Sequence, residues 1–195
     1  MLLSVVLFPI YVNNPLTFSQ LNMNKEKTME KYKNDWNSTT IKQIAITSND
    51  FHNGDEVATI TIPKMDIYEL PIFYGANPVN NDWHITTPGP LGNWSMFGEP
   101  GVCCVGAHNY QLFKNLPLLE KGDKILIETN LDRYVYVVES TAIYNHKIDD
   151  WNTVATYHTS ESALNLMTCY PIDAIKTDDM YIVYTSLQKG TVFDS

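Results

Sequence analysis

The chain has 195 residues, a formal net charge of −9, 44% hydrophobic and 12% aromatic content. That length supports one well-cored domain with an appendage, and the composition excludes a disordered chain. The acidic balance repels nucleic acid and anionic head groups, so no nucleic-acid partner is expected.

From Met1 to Asn24 no residue is charged, and Leu2 to Val12 is almost continuously apolar. Such a run is shorter than the roughly 20 residues that span a bilayer. It reads as the remnant of a membrane anchor whose start is missing, because no Lys or Arg precedes Lys25. The alternative is a buried first strand interrupted at Pro9. Residues 25–56 are a polar extension or linker, with Lys25-Glu26-Lys27 and Glu30-Lys31 on a short solvated helix. The turn cluster Asp50-Phe51-His52-Asn53-Gly54-Asp55 closes it.

Beyond that boundary, residues 57–188 read as strands at short spacing. Val57 to Ile62 stops at Pro63, and Ile67 to Tyr74 stops at Gly75. Asn77 to Pro100 is rich in Asn, Pro and Gly and is read as mostly loop. Gly101 to Ala107 is an apolar strand, Leu112 to Leu119 a short helix, and Lys124 to Glu128 with Tyr134 to Tyr144 a hairpin across Asn130-Leu131-Asp132. Ser162 to Cys169 and Tyr181 to Leu187 follow, before a tail at 189–195. About eight short strands with few helices predict an all-β, closed or nearly closed barrel.

Three cysteines are present, two of them adjacent at Cys103 and Cys104. Neighbours on a strand point to opposite faces, and an odd count leaves a thiol free. No CxxC, HExxH or EF-hand spacing occurs, so neither a metal nor another cofactor is expected. Asp149-Asp150, Asp82 and Glu99 are the carboxylates a calcium site would use, but solvated loop carboxylates are commoner. Trp83, Trp94 and Trp151 either line a peptide groove or pack beneath loops.

Free cysteine usually only packs. Cys169 differs from the mid-strand Cys103 and Cys104. It ends a strand after the hydroxyl of Thr168, and Tyr170-Pro171 then turns the chain away. His108 likewise ends an apolar strand, whereas His52, His84, His146 and His158 end no comparable one. A thiol and an imidazole at two strand ends make a candidate nucleophile and acid/base pair.

Four motifs in order carry a family resemblance. Ile62-Pro63-Lys64-Met65-Asp66-Ile67 with Leu70-Pro71-Ile72-Phe73-Tyr74-Gly75 resembles the opening strands of sortases. Gly106-Ala107-His108-Asn109-Tyr110 is similar to their His-Asn motif. Leu112-Phe113-Lys114-Asn115-Leu116 and Leu119-Glu120-Lys121-Gly122-Asp123-Lys124-Ile125 resemble the helix and Lys-Gly-Asp turn after it. Leu166-Met167-Thr168-Cys169 matches Leu-X-Thr-Cys, with Tyr170-Pro171 as in class D members.

The resemblance implies a closed eight-stranded sortase barrel with one or two short helices and an N-terminal extension. It would sit on the outer face of a Gram-positive membrane, held by a single-pass anchor. It also implies cleavage of a Leu-Pro-X-Thr-Gly-like sorting signal through a thioester on Cys169. The acyl group would pass to an amine of a peptidoglycan cross-bridge or a pilin lysine, with His108 as acid/base. The family's last-strand arginine is missing, since Met180 occupies its place after Asp178-Asp179 and Arg133 is the only arginine. Lys176 is one substitute. Thr168, Asn109 or backbone N–H groups are another, and loss of catalysis with retained binding is the third outcome. Asp35-Trp36 resembles part of the lid of class C sortases.

Overall fold

Strand formation follows the runs of β-branched and aromatic residues, which fit a pleated surface covered on one or both sides. The computed structural model describes residues 51–52, 54–75, 85–86, 95–150, 153–154, 157, 160–174 and 177–190. The apolar N-terminal segment, Asp35-Trp36, Asp82, Trp83, Trp94, Trp151, Lys176 and the tail at 191–195 lie outside them.

The strands are Glu56–Ile62 (β1), Ile67–Phe73 (β2), Ile85–Thr86 (β3), Gly101–Gly106 (β4), Lys124–Glu128 (β5), Arg133–Asn145 (β6), Ser162–Tyr170 (β7) and Asp179–Lys189 (β8). Their hydrogen-bonded order is β1-β2-β3-β4-β7-β8-β6-β5, and β5 pairs back onto β1. Seven longer strands carry the wall, while the two-residue β3 bridges β2 and β4. The architecture is all-β with almost no helix, as the sequence predicts.

β3 lies within the stretch read as mostly loop, and its two residues carry no periodicity to detect. One correction applies. The helix expected over Leu112 to Leu119 is a chain of tight turns ending in a 3-10 turn at Leu116–Leu118. Its apolar spacing is helical, and Phe113, Leu116 and Leu119 are indeed buried. Pro117, however, has no N–H to donate to Phe113, so the α-helical ladder cannot continue through it. Leu116, Leu118 and Leu119 instead donate N–H bonds to the carbonyls of Phe113, Asn115 and Leu116.

Alternation along β7 creates two apolar layers. Leu164 and Leu166 face the barrel interior with Ile60, Ile72, Val105, Ile125 and Val183, all fully buried. Burying one such side chain contributes about 1.5–3 kcal/mol relative to exposure. The opposite face presents Met167 to an outer cluster of Cys104, Tyr144, Ile182 and Tyr184. Cys103 lies in the interior core and Cys104 in the outer cluster, as neighbours on a strand must. All three cysteines are free thiols. Val154, from the β6–β7 connection, packs on the outer cluster, and its carbonyl accepts the Tyr184 hydroxyl at 3.0 Å.

Candidate active site

β4 and β7 run parallel, in register from Gly101 opposite Ser162 to Gly106 opposite Met167. The two chains stay joined beyond β4: Ala107 donates its N–H to the Met167 carbonyl at 3.3 Å. The Thr168 hydroxyl donates to the Ala107 carbonyl at 2.8 Å. The paired ladder ends at Gly106–Met167, and His108 and Cys169 each follow two residues later, on segments still joined by the two hydrogen bonds of Ala107. Residues 61 positions apart in sequence are therefore neighbours in space.

The other flank of Cys169 is β8, where Met180 is its antiparallel partner. Met180 in turn pairs with Tyr144 on β6. Directly opposed residues in a sheet share a face. Cys169, Met180 and Tyr144 thus form one row across three adjacent strands, on the face that carries the outer apolar cluster, and His108 extends it from the segment that leaves β4.

Within this row, Cys169 is half-buried and His108 exposed. Burial pushes the Cys169 thiol above its ordinary value, opposed in part by a backbone hydrogen bond. The imidazole stacks on Tyr110, with ring centroids 5.0 Å apart and an interplanar angle of 21°. β7 ends at Tyr170, and the Tyr170–Pro171 peptide is cis.

The remaining candidates are placed differently. Thr168 is buried on the opposite face from Cys169, and its hydroxyl stitches β7 to the exit of β4. Asn109 is 2% exposed and donates its amide to the carbonyls of Pro171 (2.9 Å) and Ala174 (3.2 Å). It ties the turn after His108 to the turn after Cys169. Lys114 and Asp173 add an exposed ion pair of 3.0 Å between the same two turns.

Asp178 and Asp179 both have donors turned to them. Lys147 donates to Asp178 at 2.7 Å and holds its carboxyl below the usual range. The Asn145 amide donates to Asp179 at 2.7 Å. Arg133 is paired with Glu128 at 3.2 Å across the β5–β6 hairpin. It stands at the other end of β6 from Tyr144, roughly 35 Å along the strand.

No group of three or more metal-ligating side chains occurs among the described residues. Glu99, Asp149 and Asp150 accept hydrogen bonds from Met96 N–H, Asn145 N–H and the Thr153 hydroxyl, capping their own loops. A cleft of about 510 Å³ is lined by Phe51, Glu56, Glu69 and Glu128. Neither His108 nor Cys169 reaches it, so the chemistry-bearing row and this cleft are separate features.

Tyr144 carries no sequence signal. It is one of twelve tyrosines, and only the β6–β8–β7 register brings it to the row.

The Sortase domain family model matches residues 60–188. Sortase D of Bacillus subtilis (strain 168) is 26% identical over 132 residues, 67% of this chain and 63% of that protein. The chain thus spans less than two thirds of that relative's length. Three solved structures share the fold. Sortase A of Listeria monocytogenes has 24% identity and a TM-score of 0.56, covering 69% of this chain and 88% of that one. A sortase D transpeptidase of Clostridium perfringens has 23% identity and a TM-score of 0.56, covering 85% and 98%. Sortase C from the same species has 18% identity and a TM-score of 0.57, covering 88% and 89%. No helix among the described residues is long and apolar enough to cross a membrane. With its strand order, its paired strand ends and the family model in agreement, the chain belongs to the sortase family, whose members are generally cysteine transpeptidases.

Proposed function

We propose that the chain is a transpeptidase that cleaves a Leu-Pro-X-Thr-Gly-like signal after Thr and transfers the acyl group to an amine. The observation that supports this reading is the parallel β4–β7 register, which ends at Gly106 opposite Met167, two residues before His108 and Cys169 respectively. The Cys169 thiolate attacks the Thr carbonyl carbon, forming a C–S bond and moving the carbonyl electrons onto oxygen. Collapse restores the carbonyl and breaks the C–N bond, and the leaving amine takes a proton from His108. An incoming amine then attacks the thioester, loses its proton to His108 and displaces the Cys169 sulfur. The acceptor is a peptidoglycan cross-bridge amine or a pilin lysine. The apolar segment from Leu2 to Val12 holds the enzyme at the outer face of the membrane.

Burial makes the resting thiolate scarce, so a base alongside is a chemical requirement.

A fluorescent sorting peptide incubated with triglycine tests the proposal. Ligated product from the wild-type chain, and none from Cys169→Ala, is the expected result. A second reading, a module that binds sorting signals without cutting them, is favoured by Met180 standing where an arginine is expected. Saturable binding with neither ligation nor hydrolysis, unaffected by Cys169→Ala, would establish that reading instead.

A further inference from the structure

Among the described residues, the row contains a nucleophile and a proton shuttle but no cationic side chain to meet the negative oxygen formed by attack on a carbonyl. A donor to that oxygen has to stand on the flank of Cys169 away from His108, on the same face of the sheet. Most polar side chains around that flank are committed elsewhere. Thr168 bonds Ala107, Asn109 bonds Pro171 and Ala174, Lys147 bonds Asp178, and Arg133 bonds Glu128. Tyr170 and Tyr181, a ring pair 6.0 Å apart, belong to the face that Thr168 occupies.

Tyr144 meets the geometric requirement. It pairs with Met180, which pairs with Cys169, so its Cα lies two strand spacings, about 10 Å, from that of Cys169. Its ring is 5% exposed and packs in one cluster with Met167 on β7 and Cys104 on β4. The same cluster holds Ile182 and Tyr184 of β8, the strand that lies between Tyr144 and Cys169. The Cys169 charge is among the influences that raise the Tyr144 phenol, behind burial, Cys104 and Tyr184. The hydroxyl therefore stays protonated and able to donate.

We propose that the Tyr144 hydroxyl, reaching across Met180, donates the hydrogen bond that stabilises the oxyanion during acylation of Cys169. This rests on the transpeptidase reading above. The phenol keeps its proton throughout: it strengthens its bond as charge develops on the carbonyl oxygen and relaxes when the C–N bond breaks.

The test compares the wild-type chain, Tyr144→Phe, and Tyr144→Phe combined with Met180→Arg. The probe is a set of quenched Leu-Pro-X-Thr-Gly peptides varied at X, with single-turnover acylation read by intact mass. Iodoacetamide alkylation of Cys169 is measured in parallel, because it develops no oxyanion. Tyr144→Phe is expected to slow acylation about 10²–10³-fold, the usual cost of one oxyanion donor. Alkylation and peptide KM should stay within about twofold of the wild type. Arginine in the double variant should restore about tenfold or more of the lost rate. If Tyr144→Phe acylates within about twofold of the wild type, the proposal is overturned while the transpeptidase reading stands. An equal loss of alkylation also overturns it, since the thiol and not the oxyanion would then be affected. A wild-type chain that forms no thioester with any peptide overturns the transpeptidase reading, and this inference with it.

Discussion

The two flanks of Cys169 are built on different principles. On the β4 side, hydrogen bonds hold the thiol and imidazole segments together: Ala107 N–H to Met167, Thr168 to Ala107, and Asn109 to Pro171 and Ala174. On the β8 side, the ladder runs on beneath apolar contacts, with Met180 next to Cys169 and Tyr144 beyond it. The charged groups near that flank are turned to one another, as in Lys147–Asp178. A proton must be passed over a short, fixed distance, so directional bonds set the first flank. Developing charge needs only a preorganised donor in a dry wall, so packing can set the second.

Removing the imidazole should give the largest effect on this contrast. His108→Ala is expected to slow transfer to an amine by about 10²–10⁴-fold, measured with the fluorescent peptide and triglycine. Transfer at the wild-type rate would remove the β4 flank from the chemistry.

Next comes the hinge of the same flank. Asn109→Ala removes a buried amide and its two hydrogen bonds to the carbonyls of Pro171 and Ala174, a cost of about 1–3 kcal/mol in unfolding free energy. Urea unfolding checks the stability, and the acylation rate should fall along with it. An unchanged unfolding midpoint would show that the two turns do not depend on this clamp.

The thiol itself offers a subtler test. Because burial disfavours the charged form, the thiolate fraction at neutral pH is below that of a free cysteine. Alkylation should keep climbing about tenfold per pH unit past the ordinary cysteine pKa of about 8.5. A plateau below pH 8 would mean that a cation stabilises the thiolate, contrary to the burial seen here.

The smallest effect belongs to Lys114→Ala. Its partner Asp173 is exposed, and such pairs contribute about 0–1 kcal/mol. Thermal unfolding should barely move. A large drop would assign to this ion pair the clamping ascribed to Asn109.

Much of the barrel is legible in the sequence because period-two alternation and turn residues mark strand ends. Leu164 to Met167 is an example: Leu164 and Leu166 face one layer and Met167 the other. Cys169 and His108 are legible for a related reason, each standing where an apolar run stops. Register is not legible. Nothing local shows that β4 lies parallel to β7, or that Tyr144, one strand beyond Met180, joins the row. Helical spacing at Phe113, Leu116 and Leu119 is also misleading, because burial selects the same spacing for a series of turns around Pro117. Thr168 and Asn109 have the chemistry of oxyanion donors, and only their hydrogen bonds show that they serve as stitches.

Acyl-enzyme capture tests the central claim most directly. The wild-type chain and Cys169→Ala are mixed with a Leu-Pro-X-Thr-Gly peptide and quenched in acid for intact-mass analysis. The account predicts an adduct equal to the peptide up to Thr on the wild type alone, released by hydroxylamine. No adduct on the wild type, or the same adduct on Cys169→Ala, would contradict it.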